Sequence, residues 1–483
     1  MNESSFSRLL TWLLAGCLFG LLTSATAQKR LSLSEAQADV DTLVEALQQQ
    51  HQGLYLHLDR PTTDHRLDSI RASLRPNLSR IEFFKTVQAV LALTNEGHSH
   101  ASLPKSSRLR LGTAKGFMPI AVRFYERNAY LMQYFGEEKV TLERGIEILS
   151  INGQEMGSIV EEALRYIPTD GFNQTSAYEW LGWQFPILYR LGFGPADQFE
   201  LIIRRPGEEK TERLTLSAVR ASRLKGKHSR LKTPVLRIPR LALEQINDSV
   251  AYLAINSFSL SPKEYGPWLQ QQFTTIRNKG IRHLILDVQQ NGGGSEGNEN
   301  LLMAYLEKEP FQKYAFVSMP ITAYTPRKDQ KGLLFDQWSI KDGIAQRGAF
   351  TLQSAYFSEL GYEAPADSLV FPGKVYLLTS GVTFSGGAEF TSMFRMRKRG
   401  LVIGEECGGV YEGNVSGYST SLRLPHSRIS VDIPIVYFRI NVQPNPASRG
   451  VLPDHVVPQT VADYLQQRNS KREFVVEHLL SNP

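Results

Sequence analysis

The segment Lys374–Phe390, KVYLLTSGVTFSGGAEF, contains the change of structure from which the rest of the fold can be inferred. The apolar run Val375–Leu378 is bounded by turn-forming residues and predicts a buried strand. Phe390 begins an apolar pattern at positions i, i+3 and i+4, which predicts a helix. Ser385 therefore falls where a strand turns into a helix. A serine there is either an ordinary helix cap or a nucleophile, since free N–H groups at a helix start can stabilise an oxyanion.

Length and composition indicate a globular protein with about two to four domains. The chain has 483 residues, of which 42% are hydrophobic and 21% charged, and its net charge of +6 is spread along the whole length. A disordered chain would be less hydrophobic. No basic face interleaved with aromatic residues is apparent, so nucleic acid is not predicted as a partner.

Residues 1–27 have the pattern of a secretory signal peptide. Arg8 precedes the apolar run Leu9–Leu22, which is too short to span a bilayer, and Ala25-Thr26-Ala27 supplies a cleavage site. The segment Leu14–Cys17 also matches a bacterial lipoprotein cleavage box, so a lipid anchor at Cys17 is the alternative. We therefore expect an exported protein, periplasmic or extracellular, without a transmembrane span.

The rest of the chain changes pattern twice, which predicts three regions. Residues 31–105 read as helical, with capping boxes at Ser34–Gln37 and Ser79–Glu82. Residues 106–222 contain short alternating apolar runs with turn signals such as Asn152-Gly153, and they predict a β-rich module. After a basic, loop-like stretch, residues 236–470 alternate strands with helices and predict an α/β domain.

Two histidines follow the second predicted helix in the sequence TNEGHSH, residues 94–100. The glycine ends the helix, so His98 and His100 fall on a loop from which an imidazole can reach another domain. Ordinary surface histidines are the plain alternative. The His-x-His pair could also be half of a metal site, but no further cluster has recognisable ligand spacing, and no metal is predicted.

A glycine-rich loop follows another predicted buried strand, His283–Val288. Taken literally, Gly292, Gly294 and Gly297 satisfy the dinucleotide-binding pattern G-x-G-x-x-G. However, the next apolar run, Tyr314–Met319, ends without the acidic residue that would hold a ribose. The bare backbone N–H groups could instead approach a substrate carbonyl, and no cofactor is predicted.

Several segments, taken in order, resemble the tail-specific, or C-terminal-processing, serine peptidases. That superfamily also includes the tricorn protease core and the interphotoreceptor retinoid-binding proteins. The segments that carry the resemblance are short, but their order and spacing extend over most of the mature chain. They are EGHS (96–99), LILDVQQNGGG (284–294), TFSGGAEF (383–390), GEECGG (404–409), LPHSRISVDIP (424–434) and RGVLPD (449–454).

The resemblance implies an α/β fold with a crotonase-like (ClpP/crotonase) catalytic domain, preceded by an N-terminal helical region and a PDZ-like β-rich module. The phrase GIEILSINGQ, residues 145–154, is similar to a strand and turn of PDZ domains. A PDZ module would capture an extended peptide by strand addition. A purely structural β domain is the alternative for this region.

The resemblance also implies a role for individual residues. Ser385 matches the nucleophile, and the N–H of Gly386 together with that of Gly292 or Gly293 matches the oxyanion hole. In the lysine-dyad branch of the family a lysine follows the GEECGG segment, but Val410 stands there. The sequence is therefore nearer the tricorn-like branch, in which a histidine from the N-terminal region is the base, and His98 matches that position.

The acidic residue that would orient this histidine is not where the family places it, because Ala447 and Ser448 occupy the positions before RGVLPD. Glu406, Asp454 and Glu96 are the candidates that remain. We expect an exported serine endopeptidase that cleaves unstructured protein or peptide segments. A weakly active or inactive homologue that binds peptides or apolar ligands is the alternative.

Overall fold

The computed structural model describes residues 30–138, 140, 142–224, 237–320, 339–341, 344–347, 361–362, 367–444 and 447–480. The predicted signal peptide, Cys17 and most of the basic stretch before residue 237 lie outside the described residues. Within the described ranges, no helix has both the length and the apolar character needed to cross a bilayer.

Three helices open the described chain: α1 (Leu33–Gln50), α2 (Arg60–Ala72) and α3 (Arg80–Ala92). The capping box at Ser79 and Glu82 is confirmed. The box at Ser34 was wrong by two positions, because α1 begins at Leu33 and its cap is formed by Ser32 and Glu35. The apolar faces of these helices share a core with Leu424, Ile429, Val431 and Ile433 from the distant C-terminal part of the chain.

The next region forms an antiparallel sheet of order β2-β3-β4-β6-β7, with the two-residue strand β5 paired to β4. Helices α5 and α6 pack against it, and their apolar residues form a core with the sheet. The strong alternation of the strands is the reason this region was predicted to be β-rich. The elements here are β1 (His100–Ser102), α4 (Lys105–Thr113), β2 (Ile120–Tyr125), β3 (Asn128–Tyr134), β4 (Glu147–Ile151), β5 (Gln154–Glu155), α5 (Met156–Leu164), α6 (Thr175–Phe193), β6 (Gln198–Arg204), β7 (Thr211–Ser217) and α7 (Ala221–Leu224).

The C-terminal half contains a sheet of order β20-β17-β16-β10-β9-β8, in which β17 is Gly400–Gly404 and β20 is His455–Val456. All of its strand pairs are parallel except β8 with β9. Its central strands are buried on both faces, which explains their continuous apolar sequences. The elements up to β16 are β8 (Leu241–Gln245), β9 (Val250–Ile255), α8 (Pro262–Asn278), β10 (His283–Asp287), α9 (Asn298–Ala304), β11 (Phe311–Gln312), β12 (Tyr314–Pro320), β13 (Ser339–Lys341), β14 (Ile344–Arg347), β15 (Gly361–Tyr362) and β16 (Lys374–Thr379).

A second sheet joins the N-terminal region to the C-terminal half. Strand β19 pairs with β1, β12 and β18, and the pairing of His100 with Asp432 fixes the loop before β1 against this sheet. The remaining elements are α10 (Gly386–Met396), β17 (Gly400–Gly404), β18 (Gly413–Arg423), β19 (Ser430–Ile440), β20 (His455–Val456), α11 (Val461–Gln466) and α12 (Ser470–Phe474). The protein is thus a mixed α/β protein, as expected.

A buried lysine links α9 to the first turn of α10 by pairing with an acidic residue of each helix. Lys313 is fully buried, and its Nζ lies 2.5 Å from carboxylate oxygens of Glu299 and Glu389 and 3.0 Å from Glu296. Burial acts to lower the pKa of Lys313, but the three carboxylates outweigh it and raise the pKa well above the usual range. The ammonium is therefore charged, and it compensates acidic groups that could not be buried alone.

Replacing this lysine should therefore destabilise the protein strongly. We expect Lys313→Met to lower the free energy of unfolding by about 3–5 kcal/mol, because it leaves buried carboxylates without a counter-charge. The measurement is urea denaturation at neutral pH. The control is Arg213→Met, which breaks a pair with Glu200 whose side chains are 69% and 43% exposed and should cost less than about 1 kcal/mol. Equal midpoints for the two variants would contradict the assignment.

Candidate active site

Ser385 lies between the end of β16 and the first residue of α10, as its sequence predicted. Its backbone has φ 53° and ψ −129°, and its side chain makes no capping hydrogen bond. A positive φ is unfavourable for a residue with a Cβ and costs on the order of 1–3 kcal/mol, which the surrounding structure must supply. An ordinary N-cap serine has an extended backbone and caps the helix, so the structure does not support the plain capping alternative.

The turn before Ser385 is held by the end of β10 and the loop that follows it. Thr383 Oγ1 donates to the carbonyl of Val288 (3.0 Å), and the Phe384 N–H donates to the carbonyl of Asn291 (3.0 Å). Gly387 can approach this loop only because it has no side chain: a Cβ there would lie 2.3 Å from the Asn291 oxygen. These contacts fix the strained backbone of Ser385.

Gly293 packs directly against the serine. A Cβ on this residue would lie 2.8 Å from Ser385 Cβ, 3.1 Å from Ser385 Oγ and 2.9 Å from the nitrogen of Gly386. The Gly293 N–H donates to Asn291 Oδ1 at 2.9 Å. In the described part of the chain, the N–H groups of Gly292 and Gly386 have no such partner. The glycine-rich loop therefore places its backbone next to the Ser385 hydroxyl, and the N–H groups of Gly292 and Gly386 are available to donate to a substrate.

His98 lies on the loop before β1 and reaches this turn. Its ring stacks on Phe384, with the centroids 4.7 Å apart and the planes at 25°. The structure thus brings the histidine to the residue directly before Ser385, although the two are far apart in the sequence. The His98 side chain remains 20% exposed, so part of the ring stays accessible.

Of the three acidic candidates, Glu96 is the one that contacts His98. Its Oε1 lies 2.7 Å from His98 Nδ1, and its Oε2 accepts a hydrogen bond from the Val415 N–H at 2.6 Å. Burial raises the pKa of Glu96 to about 7. Burial lowers the pKa of His98, although the charges of Asp170 and Glu389 act in the opposite direction.

The other two acidic candidates have different partners. Glu406 pairs with Arg449 and accepts from the Gly450 N–H at 2.8 Å. Asp454 pairs with Arg395 at 2.6 Å and accepts from the Val402 N–H at 2.7 Å. Both carboxylates therefore hold the C-terminal segments in place.

Asp170 is a site residue that the sequence analysis missed. It lies between α5 and α6, it is buried, and its Oδ1 accepts a hydrogen bond from the Gly97 N–H at 2.8 Å. One ligand atom each from Glu96, His98 and Asp170 lie within 4.8 Å of one another. The sequence around Asp170 reads only as a turn, and no local signal connects it with a loop 73 positions earlier.

Aromatic side chains continue from the site along α6. Trp180 meets Phe384 edge to face with centroids 6.3 Å apart, and it meets Trp183 at 4.8 Å. These half-buried rings form an apolar wall beside the histidine and the serine. The β-rich region therefore contributes both an acidic residue and an apolar surface to the site.

The His98–His100 pair and the glycine-rich loop do not form the metal half-site and the dinucleotide site that their sequence patterns allowed. His100 is exposed on β1 and lies outside the acidic group around His98. In the glycine-rich loop, the Gly297 N–H at the start of α9 donates to its own neighbour Glu299 at 3.1 Å. A pyrophosphate at that helix start would meet the carboxylates of Glu296 and Glu299, which would repel it.

Comparison with known proteins is consistent with the sequence resemblance. Residues 249–457 match the model of peptidase family S41. No curated protein sequence matches the chain significantly. The structure of mature CPAF complexed with lactacystin is 13% identical with a TM-score of 0.63, and the alignment covers 93% of this chain and 98% of that one. A serine-to-alanine mutant of CPAF is 12% identical with a TM-score of 0.64, over 93% and 97% of the two chains.

At these identities the similarity to CPAF shows a common fold alone. The family match covers the parallel strands of the C-terminal sheet and the segments that carry Ser385 and the glycine-rich loop. The resemblance found in the sequence is confirmed, because residues 249–457 match peptidase family S41, and the protein is a serine-type peptidase.

Proposed function

We propose that this protein is an exported serine endopeptidase that cleaves unstructured protein or peptide segments, with Ser385 as nucleophile and His98 as general base. The observation that carries the proposal is the position of the His98 ring. It is held by Glu96 and stacked on Phe384, directly before a serine with a strained backbone at a helix start. A nucleophile, a base and an orienting acid in this order are the parts that acyl transfer requires.

In the first step, His98 accepts the proton of the Ser385 hydroxyl as the oxygen bonds to the scissile carbonyl carbon. Glu96 accepts a hydrogen bond from Nδ1–H, which fixes the tautomer with a free Nε2 and stabilises the imidazolium that forms. His98 then gives the proton to the leaving amine as the C–N bond breaks. Water releases the acyl group from Ser385 by the same route.

The negative charge on the tetrahedral oxygen needs preorganised donors. Gly386 supplies one N–H at the positive end of α10, and it has no other partner among the described residues. Gly292 and Gly293 are the candidates for the second donor. Gly292 is favoured, because the Gly293 N–H is already engaged by the side chain of Asn291.

The domain roles follow from the same proposal. The parallel sheet and its helices, within residues 236–470, form the crotonase-like catalytic domain, and the helical region 31–105 contributes His98. The β-rich region 106–222 acts as a PDZ-like module that delivers an extended peptide to the apolar wall. The signal peptide 1–27 exports the chain to the periplasm or the exterior, with lipidation at Cys17 as the alternative.

The central test is substitution of the nucleophile. Ser385→Ala should reduce turnover of casein or a tagged peptide by about 10⁴-fold or more, since only binding and the oxyanion donors remain. Ser421→Ala, at an exposed position in β18, is the control and should keep the parent rate. A fluorophosphonate probe should label the parent and not Ser385→Ala. If peptide binds but the parent neither turns over nor labels, the protein is a binding homologue instead.

As the pH is lowered, the first loss of activity should come from protonation of Glu96 and not of His98. A protonated Glu96 has no negative charge with which to stabilise the imidazolium, and burial raises its pKa to about 7, so kcat/KM should fall as the pH drops below about 7. In Glu96→Gln the rate should be about 10²–10⁴-fold lower. The remaining midpoint should lie below 6.5, because burial lowers the pKa of His98.

The exposed His65→Gln is the control for this profile and should not alter it. Identical midpoints in the parent and Glu96→Gln would show that Glu96 does not set the acidic limb.

Two adjacent glycines give a matched test of the backbone beside the serine. Gly293→Ala places a Cβ 2.8 Å from Ser385 Cβ at a residue with φ +92°, and it should reduce fluorophosphonate labelling by at least about 10-fold. Gly292→Ala meets nothing within 4 Å and should label at close to the parent rate. Equal labelling of the two variants would contradict the packing described for this loop.

A further inference from the structure

One carboxylate oxygen of Asp170 is buried without a hydrogen-bond donor in the site described above. Oδ1 accepts from the Gly97 N–H, but the buried Oδ2 has no hydrogen-bond partner among the described residues. A buried carboxylate oxygen without a donor is costly, since its desolvation is not compensated. If the same oxygen carries a proton, it becomes a donor and requires an acceptor instead.

Glu96 is the acceptor within reach. The two carboxyl groups and His98 form one compact cluster, and both acidic residues are at least 98% buried, with 2% of Glu96 and 1% of Asp170 exposed. No lysine or arginine in the described ranges pairs with either of them. Two buried carboxylates whose oxygens lie within 4.8 Å of each other cannot both be ionised without a counter-charge.

We propose that Asp170 is a positioning residue that holds one proton and donates it to Glu96, so that the two buried carboxyl groups carry a single negative charge beside His98. The proposal rests on the roles proposed above for His98 and Glu96. Asp170 acts through its neighbours: one oxygen fixes the Gly97 amide, and the protonated oxygen keeps Glu96 ionised and aimed at Nδ1. No substrate atom needs to contact it.

The direction of proton sharing follows from the surroundings of the two groups. Burial and then the charge of Glu96 raise the pKa of Asp170 well above its usual range, whereas burial raises that of Glu96 to about 7. Glu96 has the better donors for a charged form, from the Val415 N–H and from His98. The other titratable groups that act on the cluster are Cys407 and Tyr437, whose pKa values burial raises to about 12, and His100 and Glu389, whose charges act on His98.

An amide at position 170 tests this assignment, because it has the hydrogen-bonding groups of a protonated carboxyl. Asp170→Asn can still accept from Gly97 and donate to Glu96, and it should keep at least about one third of the parent kcat/KM. Asp170→Ala removes both contacts and should lose at least about 10-fold. Glu96→Gln should also lose activity, since the negative charge that stabilises the His98 imidazolium is gone. An inactive Asp170→Asn together with an active Glu96→Gln would reverse the assignment of the proton and overturn the proposal.

A readout that does not need activity separates this proposal from the proposed function. In a Ser385→Ala background at about pH 7–8, unfolding of the parent should release about one more proton than unfolding of Asp170→Asn, because Asp170 is protonated only when folded. Calorimetry in buffers of different ionisation enthalpy counts these protons. Asp68→Asn, at an exposed position, is the control and should leave the count unchanged. The same count in all three proteins would show that Asp170 is ionised in the folded state.

Discussion

The hydrogen bond between Glu96 and His98 is the contact on which the arrangement of the site depends. One carboxylate oxygen of Glu96 is fixed by a backbone amide of β18 and the other lies on the imidazole. A buried carboxylate is expensive to desolvate, and two hydrogen bonds offset only part of that cost. The contact between Glu96 and His98 therefore persists only because the apolar cores hold the surrounding elements in place. The loop before β1 takes its conformation from those elements.

A second group of buried charges, centred on Lys313, lies next to the Glu96–His98 pair. Lys313 compensates the carboxylates of Glu299 and Glu389 below the start of α10, and Glu389 also faces His98. Burial alone would raise the pKa of Glu389, but Lys313 outweighs it and the pKa is lowered. The negative charge near the imidazole thus depends in part on a lysine that does not touch it. Buried charges of this kind favour one arrangement rather than high stability.

The β-rich region is part of the site rather than an appendage to it. The loop between α5 and α6 places Asp170 on the histidine loop, and the side chains of Asn173 and Thr175 donate to the carbonyls of Cys407 (2.6 Å) and Glu406 (2.9 Å). One short loop therefore joins the N-terminal region to the segment after β17. Through these hydrogen bonds and that of Asp170 with the Gly97 amide, the β-rich region is attached directly to the segments around Ser385 and His98.

The sequence by itself determined the elements whose pattern is local. Capping at Ser79, the alternation of the β-rich region, the buried parallel strands and the strand-to-helix position of Ser385 all follow from contacts within a few residues along the chain. The family resemblance was also local, since it rested on short segments. The capping box near residue 34 was misplaced because two serines at that position offer equivalent signals.

Only the tertiary structure decided which acidic residue meets the histidine. Glu406 and Asp454 were equally reasonable candidates in the sequence, but in the structure they form ion pairs with Arg449 and Arg395. Asp170 had no sequence signal at all. The pairing of β1 with β19 and the packing of α1–α3 on the C-terminal strands bring these groups together across hundreds of positions. Such contacts depend on the relative placement of whole elements, and burial of the apolar surfaces between those elements supplies the free energy that fixes this placement.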